Sequence, residues 1–379
     1  MTLPTGIYRA DHVGSFLRPQ PVLAAREKVT DGTLGSNELR AIEDEHVTTL
    51  VTKETDAGLR SITDGEFRRA YFHLDFLKHL DGVQVEGYIA SSNTIRDGWT
   101  PPRLVVNGKL GHSKPIQIDD FKFLELAIKK AGATNVTTKV CIPSPTMVHF
   151  RGGRDSISRD AYPDLEPFFE DLARVYQEEI DDLYKAGCRV VQLDDTNLAY
   201  LCDPSMREAA EKRNEDLTTL PKKYAQLINR AISKRPADMT IGIHLCRGNY
   251  RSQWFASGGY EPVAEVLFKD LNVDAYFLEY DDARSGDFAP LRHLPEHKVV
   301  VLGLMSSKKN TLEDADAIKR RLHEAATYCP RGLAQLCISH QCGFSSTSEG
   351  NDLTEEEQWA KVRQELDIAK SVWGEDLSL

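Results

Sequence analysis

Eight short strand-like runs, most of them followed by a helical return, set the rhythm of this chain. They are YRADHVGSF (8–16), LRSITDGEF (59–67), VTTKVCIPSP (136–145), CRVVQLDDTN (188–197), MTIGIHLC (239–246), DAYFLEYDD (274–282), KVVVLGLM (298–305) and LAQLCISHQCGF (333–344). Apolar strands that alternate with helices form a parallel sheet covered on its outer face, because both faces of each strand must be buried. Eight such units in 379 residues predict a single-domain α/β fold, a closed (β/α)8 TIM barrel, with an irregular insert at about 80–135 between strands two and three. A doubly wound open sheet is the structural alternative.

The returns carry helix punctuation. Residues 36–58 begin with Ser36 as a cap and stop at Gly58. In 163–187, Phe169, Leu172, Tyr176, Ile180 and Leu183 recur at steps of three and four before Gly187. Pro221 suits a first helical turn, and 261–271, 311–329 and 354–373 also read as helices.

Charge narrows the function. With 47 Lys+Arg against 58 Asp+Glu, the net charge of −11 disfavours a general nucleic-acid or anionic-membrane binder. No apolar run is long enough to span a bilayer, and the N-terminus lacks a secretory pattern. Seven scattered cysteines, an odd number, do not form a disulfide framework; a reducing cytoplasm fits them.

The reactive residues collect at strand C-termini, where such barrels place their active sites. These are His12 and Ser15, Asp64 and Glu66, Asp194 and Asp195, His244 and Cys246, Glu279, and His340 and Cys342. Some of these carboxylates could be helix caps, and a lone cysteine could be a small core residue. His244 and Cys246 are two apart on a strand and therefore share a face. Together with Glu279 and Cys342 they offer one nitrogen, two thiolates and a carboxylate, a tetrahedral set for one zinc ion per chain. Zinc in such a set stabilises a bound thiolate, and the hard Glu279 is the ligand a soft sulfur most easily displaces. The expected chemistry is S-alkylation of a thiol.

In order and wording, HVGSFLRP, TDGEFRR, PSPTMV, VVQLDDTN, IHLCRG, FLEYDD and HQCGF resemble the catalytic barrel of the cobalamin-independent methionine synthase family, in its short single-barrel form. The resemblance implies zinc on His244, Cys246, Glu279 and Cys342, and homocysteine near Ser15, Glu66 and Asp194, the latter two with catalytic roles. Its alkyl donor would be methyl-folate or another methyl compound, giving methionine. Three positions depart from the long enzymes. Tyr200 stands where they keep a folate-facing glutamate, Phe150 where they stack a tryptophan on the folate, and Met305 near their proton-shuttling histidine. Tyr200 and Phe150 are thus expected beside the donor, and the departures bear on the donor rather than on thiol activation.

A relative that adds coenzyme M to epoxyalkanes shares the zinc pattern. Its sulfonate would need cations such as Arg18, Arg68 or Arg247, whereas Glu66 and Asp194 suit an ammonium group. A non-catalytic zinc scaffold is the reading from another class. A homo-oligomer is compatible with all three.

Overall fold

The computed structural model describes residues 2–88 and 102–378. Seven parallel strands form one sheet: β1 (Ser61–Ile62), β4 (Thr137–Pro143), β5 (Val190–Asp195), β6 (Thr240–Leu245), β7 (Ala275–Glu279), β8 (Val299–Met305) and β9 (Leu336–His340), in that spatial order. The expected first strand closes the ring. Ala10 bridges Ile338 on β9, and Ser15 bridges Gly65 just beyond β1, both in parallel sense. Segment 8–16 therefore stands between the two edges, and the sheet is a barrel.

That segment is not a continuous strand, and local chemistry explains why. The Asp11 carboxylate accepts from the backbone N–H of Tyr8 (3.3 Å) and His12 (2.8 Å), so these donors turn to a side chain instead of a ladder. Gly14, at φ 125°, bends the chain before Ser15. The second expected strand shrinks to two residues for a similar reason, because left-handed Gly65 and Glu66 end it.

The insert is more regular than expected. It holds an antiparallel hairpin, β2 (Asp81–Tyr88) with β3 (Pro102–Gly111), and then helix α4 (Ile118–Ala131). Part of the expected insert, 89–101, lies outside the described residues. Val106 of β3 bridges Ile157 in the loop after β4, which sets the hairpin at the catalytic end of the barrel.

Of the helices, α5 (Leu165–Ala186) and α10 (Glu355–Trp373) match expectation, the first closed by left-handed Gly187 and the second opened by a Thr354–Glu357 capping box. Helix α2 (Ser36–Ala57) starts one residue early: Gly35 caps it, with its N–H donated to Glu38, and Ser36 is the first helical residue. The 261–271 return is a 3-10 turn (Glu261–Val263) followed by a π turn (Val266–Asp270) rather than an α-helix.

Period-two alternation divides the strands. Outward residues such as Val191, Leu193, Ile241, Ile243, Leu278 and Leu302 pack beneath the helices in one large hydrophobic layer. Inside the barrel, Leu3, Ile7, Ala275, Phe277, Val299, Val301 and Cys337 form a separate plug at the N-terminal end. One step further along the same inward rows, the residues become polar: Asp194, His244 and Glu279 are the inward successors of Gln192, Gly242 and Phe277. The plug thus acts as a floor for a polar site above it.

Gly303 sits where β8 meets the chain beyond β9. A Cβ there would lie 2.5 Å from the Gln341 Cα and 3.0 Å from the Leu278 carbonyl, both backbone atoms that cannot swing away. Gly303→Ala is expected to cost about 1–3 kcal/mol, read as a lowered midpoint in denaturant, because it forces apart the strands that carry Glu279 and Cys342.

Candidate metal centre

His244, Cys246, Glu279 and Cys342 come together as the strand ends place them. One ligand atom from each lies within 4.8 Å of the others, and all four residues are buried. His244 and Glu279 project inward from β6 and β7, Cys246 follows β6 by one residue, and Cys342 follows β9 by two. The two sulfurs are 3.5 Å apart.

Each ligand is oriented from behind. The Nδ1 of His244 faces the Phe277 carbonyl at 3.2 Å, which holds the ring in its Nδ1–H tautomer. Its Nε2 is left buried with no hydrogen-bond partner among the described residues, a free lone pair beside two thiols. Glu279 accepts from the Arg247 backbone N–H (2.6 Å) and pairs with Arg284 (2.9 Å). Gly248 donates its N–H to the Cys246 sulfur at 3.3 Å.

The two thiols share a charge. The thiol of Cys246 holds Cys342 well below the usual thiol range, with His244 adding to the effect. The same pairing, together with burial, pushes Cys246 well above it. An orphaned imidazole nitrogen, a ready thiolate, a second thiol and a braced carboxylate fit a zinc ion of mixed N, S and O ligation. Arg284→Ala would free Glu279 to turn away. Zinc affinity, measured by competition with a chelator, is expected to fall roughly tenfold to a hundredfold, the usual effect of losing such a brace.

A second polar cluster adjoins the first. Glu66, Cys141 and Asp194 offer ligand-type atoms within 4.8 Å of one another, all buried. Burial is the main cause of the high pKa of both acids: Glu66 rises to about 7 against the pull of Arg69, and Asp194 to about 6 against that of His244. Gln192 donates to Asp194 at 2.7 Å, while one oxygen of Glu66 has no hydrogen-bond partner among the described residues. Glu66 also holds φ 58°, an unfavourable conformation for a residue with a Cβ, and such strain is found where function fixes a side chain. A cation in contact with the pair would pull both values down. Ser15 lies alongside: its Oγ accepts from the Ser345 N–H at 3.3 Å, and a Cβ on Gly343 would fall 1.9 Å from that oxygen.

Other expected residues take different places. Asp195 points outward from β5, accepting from Thr146 and from the Leu198 N–H, so it is a helix cap. His12 bonds the Ser61 carbonyl (2.8 Å), and His340 pairs with Glu365 of α10 (2.7 Å); neither joins the cluster. Tyr200 lines a small pocket whose floor includes Cys246. Phe150 stands behind Tyr200, with ring centroids 6.1 Å apart, and does not line that pocket. Met305 is fully buried at the C-terminal end of β8.

Two of the three cations considered for a sulfonate are already engaged. Arg18 donates to four backbone carbonyls, those of Arg69, Ser345, Thr347 and Glu66, and Arg68 is set among Asp44, Asp64 and Asp120. Arg247 lies over the Tyr260 ring, 4.3 Å from its centroid, and its buried guanidinium nitrogens have no hydrogen-bond partner among the described residues.

Sequence reasoning missed Arg69, which links Glu66 to Gln117 and the Cys141 carbonyl, and Cys141 itself. It also missed Lys308, whose buried amine has no hydrogen-bond partner among the described residues and whose charge reaches both thiols. The two arginine neighbours in TDGEFRR were a usable signal for Arg69. Nothing in the sequence marks Lys308.

Comparison with known proteins supplies a family. The cobalamin-independent synthase catalytic domain matches residues 9–371. The protein YxjH of Bacillus subtilis (strain 168) is 46% identical over 369 residues, covering 97% of this chain and 95% of its own. A protein from Listeria monocytogenes, solved as a candidate vitamin-B12-independent methionine synthase, is 40% identical, with TM-score 0.77 over 99% of this chain and 100% of its own. A B12-independent methionine synthase from Shewanella sp. W3-18-1, solved with selenomethionine, shares the fold at 21% identity and TM-score 0.70, covering 98% of each chain. Among the described residues, no helix is long and apolar enough to cross a membrane.

Proposed function

The chain belongs to the cobalamin-independent synthase catalytic-domain family, whose activity is methyl transfer of the methionine-synthase type, and we propose that it is a zinc-dependent methyltransferase that converts homocysteine to methionine. The observation that carries the zinc is the convergence of His244, Cys246, Glu279 and Cys342 around an imidazole nitrogen with no other partner. The adjoining acid pair supports the thiol's identity.

Bound there, zinc would supply the Lewis acidity that keeps a substrate thiol ionised at neutral pH. The chain's own residues do the rest. Glu66 and Asp194 receive the substrate ammonium, and the loss of their proton affinity on meeting that charge makes them acceptors at neutral pH. Ser15 and the backbone around Gly343 stand next to Cys342, where the substrate carboxylate would find donors. Arg284 steadies Glu279 until a sulfur takes its place. The apolar plug of Phe277, Val299 and Val301 closes the barrel below, so the thiolate is exposed to the donor from one side only.

Two observations favour an amino-acid thiol over a sulfonate: the buried carboxylates and the engaged state of Arg18 and Arg68. The test is methionine formation by zinc-replete protein supplied with homocysteine and methyl donors, compared with coenzyme M in the same assay. Alkylation of homocysteine supports the reading. Alkylation of coenzyme M alone would overturn it.

A further inference from the structure

The pocket above Cys246 has a composition that the thiol chemistry leaves unexplained. Five aromatic residues, Tyr71, Phe72, Tyr200, Tyr250 and Phe255, line it, and Arg151 lies among them. Arg151 donates to the Tyr200 hydroxyl at 3.5 Å, and no described carboxylate pairs with it.

Aromatic faces around a site next to a nucleophile are how proteins recognise methylated cations. A single unpaired guanidinium beside them suits a carboxylate on the same small molecule. We propose that this pocket binds the methyl donor and that the donor is a carboxylate-bearing onium ion, a sulfonium or quaternary-ammonium zwitterion, with its cationic methyls against the rings and its carboxylate on Arg151. The inference rests on the thiol-alkylation reading above and names the donor class for the same site.

The transfer balances without help. The thiolate sulfur attacks a methyl carbon and a C–S bond forms. The bond from that carbon to the positive sulfur or nitrogen breaks, and its electron pair stays on the leaving atom. One negative and one positive charge cancel, and a neutral thioether or tertiary amine departs. No proton, oxidant or reductant enters.

A neutral N-methyl amine would instead need a proton on its nitrogen as it leaves. Two of the groups that line the pocket are poor proton donors at neutral pH. His73 is held down to about 3 by burial and by Arg151, and burial pushes the Tyr200 hydroxyl up.

The test titrates zinc-replete protein calorimetrically with glycine betaine and dimethylsulfoniopropionate, each against the uncharged-headgroup isostere, tert-butylacetate and isocaproate respectively. Each onium is expected to bind about tenfold more tightly than its isostere, the scale of a partly desolvated cation–π contact. Tyr200→Leu and, independently, Tyr250→Leu should shrink that preference. Arg151→Met should weaken both members of a pair equally. At least one onium should pass its methyl to homocysteine. Equal binding of onium and isostere overturns the proposal, and so does faster methionine formation from methyltetrahydrofolate than from every onium probe. Proton release on adding homocysteine, measured without any donor, reports the thiol reading separately. Release without onium preference sinks only the donor class, and onium preference without release sinks only the thiol reading.

Discussion

Cys246→Ala and Cys342→Ala are each expected to abolish stoichiometric zinc and, with it, methyl transfer. A zinc site of this kind is worth roughly 10–16 kcal/mol at neutral pH, so one of four ligands accounts for roughly 2.5–4 kcal/mol. That is a loss of about a hundredfold to a thousandfold in affinity per substitution. Metal content after dialysis against a weak chelator, together with the rate of methionine formation, checks the outcome. The fold should survive, because both cysteines sit above the apolar plug rather than within it. Far-ultraviolet circular dichroism and a cooperative unfolding transition would show that survival. A Cys342→Ala protein that keeps full zinc and full activity would remove Cys342 from the site.

The second large effect is a trade between stability and binding at Glu66. Its carboxyl holds a proton more tightly in the folded chain than in the unfolded one, where about 4.3 is usual. The stability tied to that proton is therefore complete below about pH 4 and is lost as pH rises through the folded value of about 7. Glu66→Gln removes the buried charge. At pH 8 it should stabilise the substrate-free protein by roughly 2–3 kcal/mol, allowing for the coupling to Asp194. At pH 4 the two proteins should unfold alike.

Binding moves the other way. The loss of a charge-assisted contact of about 1.5–3 kcal/mol raises the KM for homocysteine by roughly tenfold or more. In the unsubstituted protein, KM should rise as pH falls below about 7, where Glu66 takes up its proton. Urea unfolding at the two pH values and a KM profile from pH 6 to about 8 check both arms. An unchanged KM in Glu66→Gln would take the ammonium away from this residue.

The convergence of the four candidate ligands was legible because period two is strict on a buried strand. His244 and Cys246 had to share a face, and Glu279 followed the same inward row as Phe277 and Ala275. Cys342 was readable as the partner of a strand end, although the strand itself stops at His340. Adjacent residues were harder. Asp194 and Asp195 look alike in sequence, yet one faces the barrel interior and the other caps a helix. Strand parity would have separated them once His244 was taken as inward, since Asp194 pairs with it in register.

The broken first strand was not legible, because the Asp11 carboxylate takes backbone donors that a propensity argument assigns to the sheet. Helix α4 was legible and missed. Phe121, Leu124 and Ile128 bury one face at helical spacing inside a region read as irregular. Arg69 stood in the TDGEFRR run and was missed there, whereas Lys308 acts through three-dimensional neighbours that no spacing rule reaches.

The most direct measurement is zinc K-edge X-ray absorption on the metal-replete protein, with and without homocysteine. One zinc per chain is predicted, with one imidazole nitrogen, two sulfurs and one carboxylate oxygen, the set formed by His244, Cys246, Cys342 and Glu279. On adding homocysteine, a third sulfur should appear as the Glu279 oxygen is lost. A protein without stoichiometric zinc, or a zinc spectrum that keeps its sulfur count when the thiol is saturating, would contradict the account.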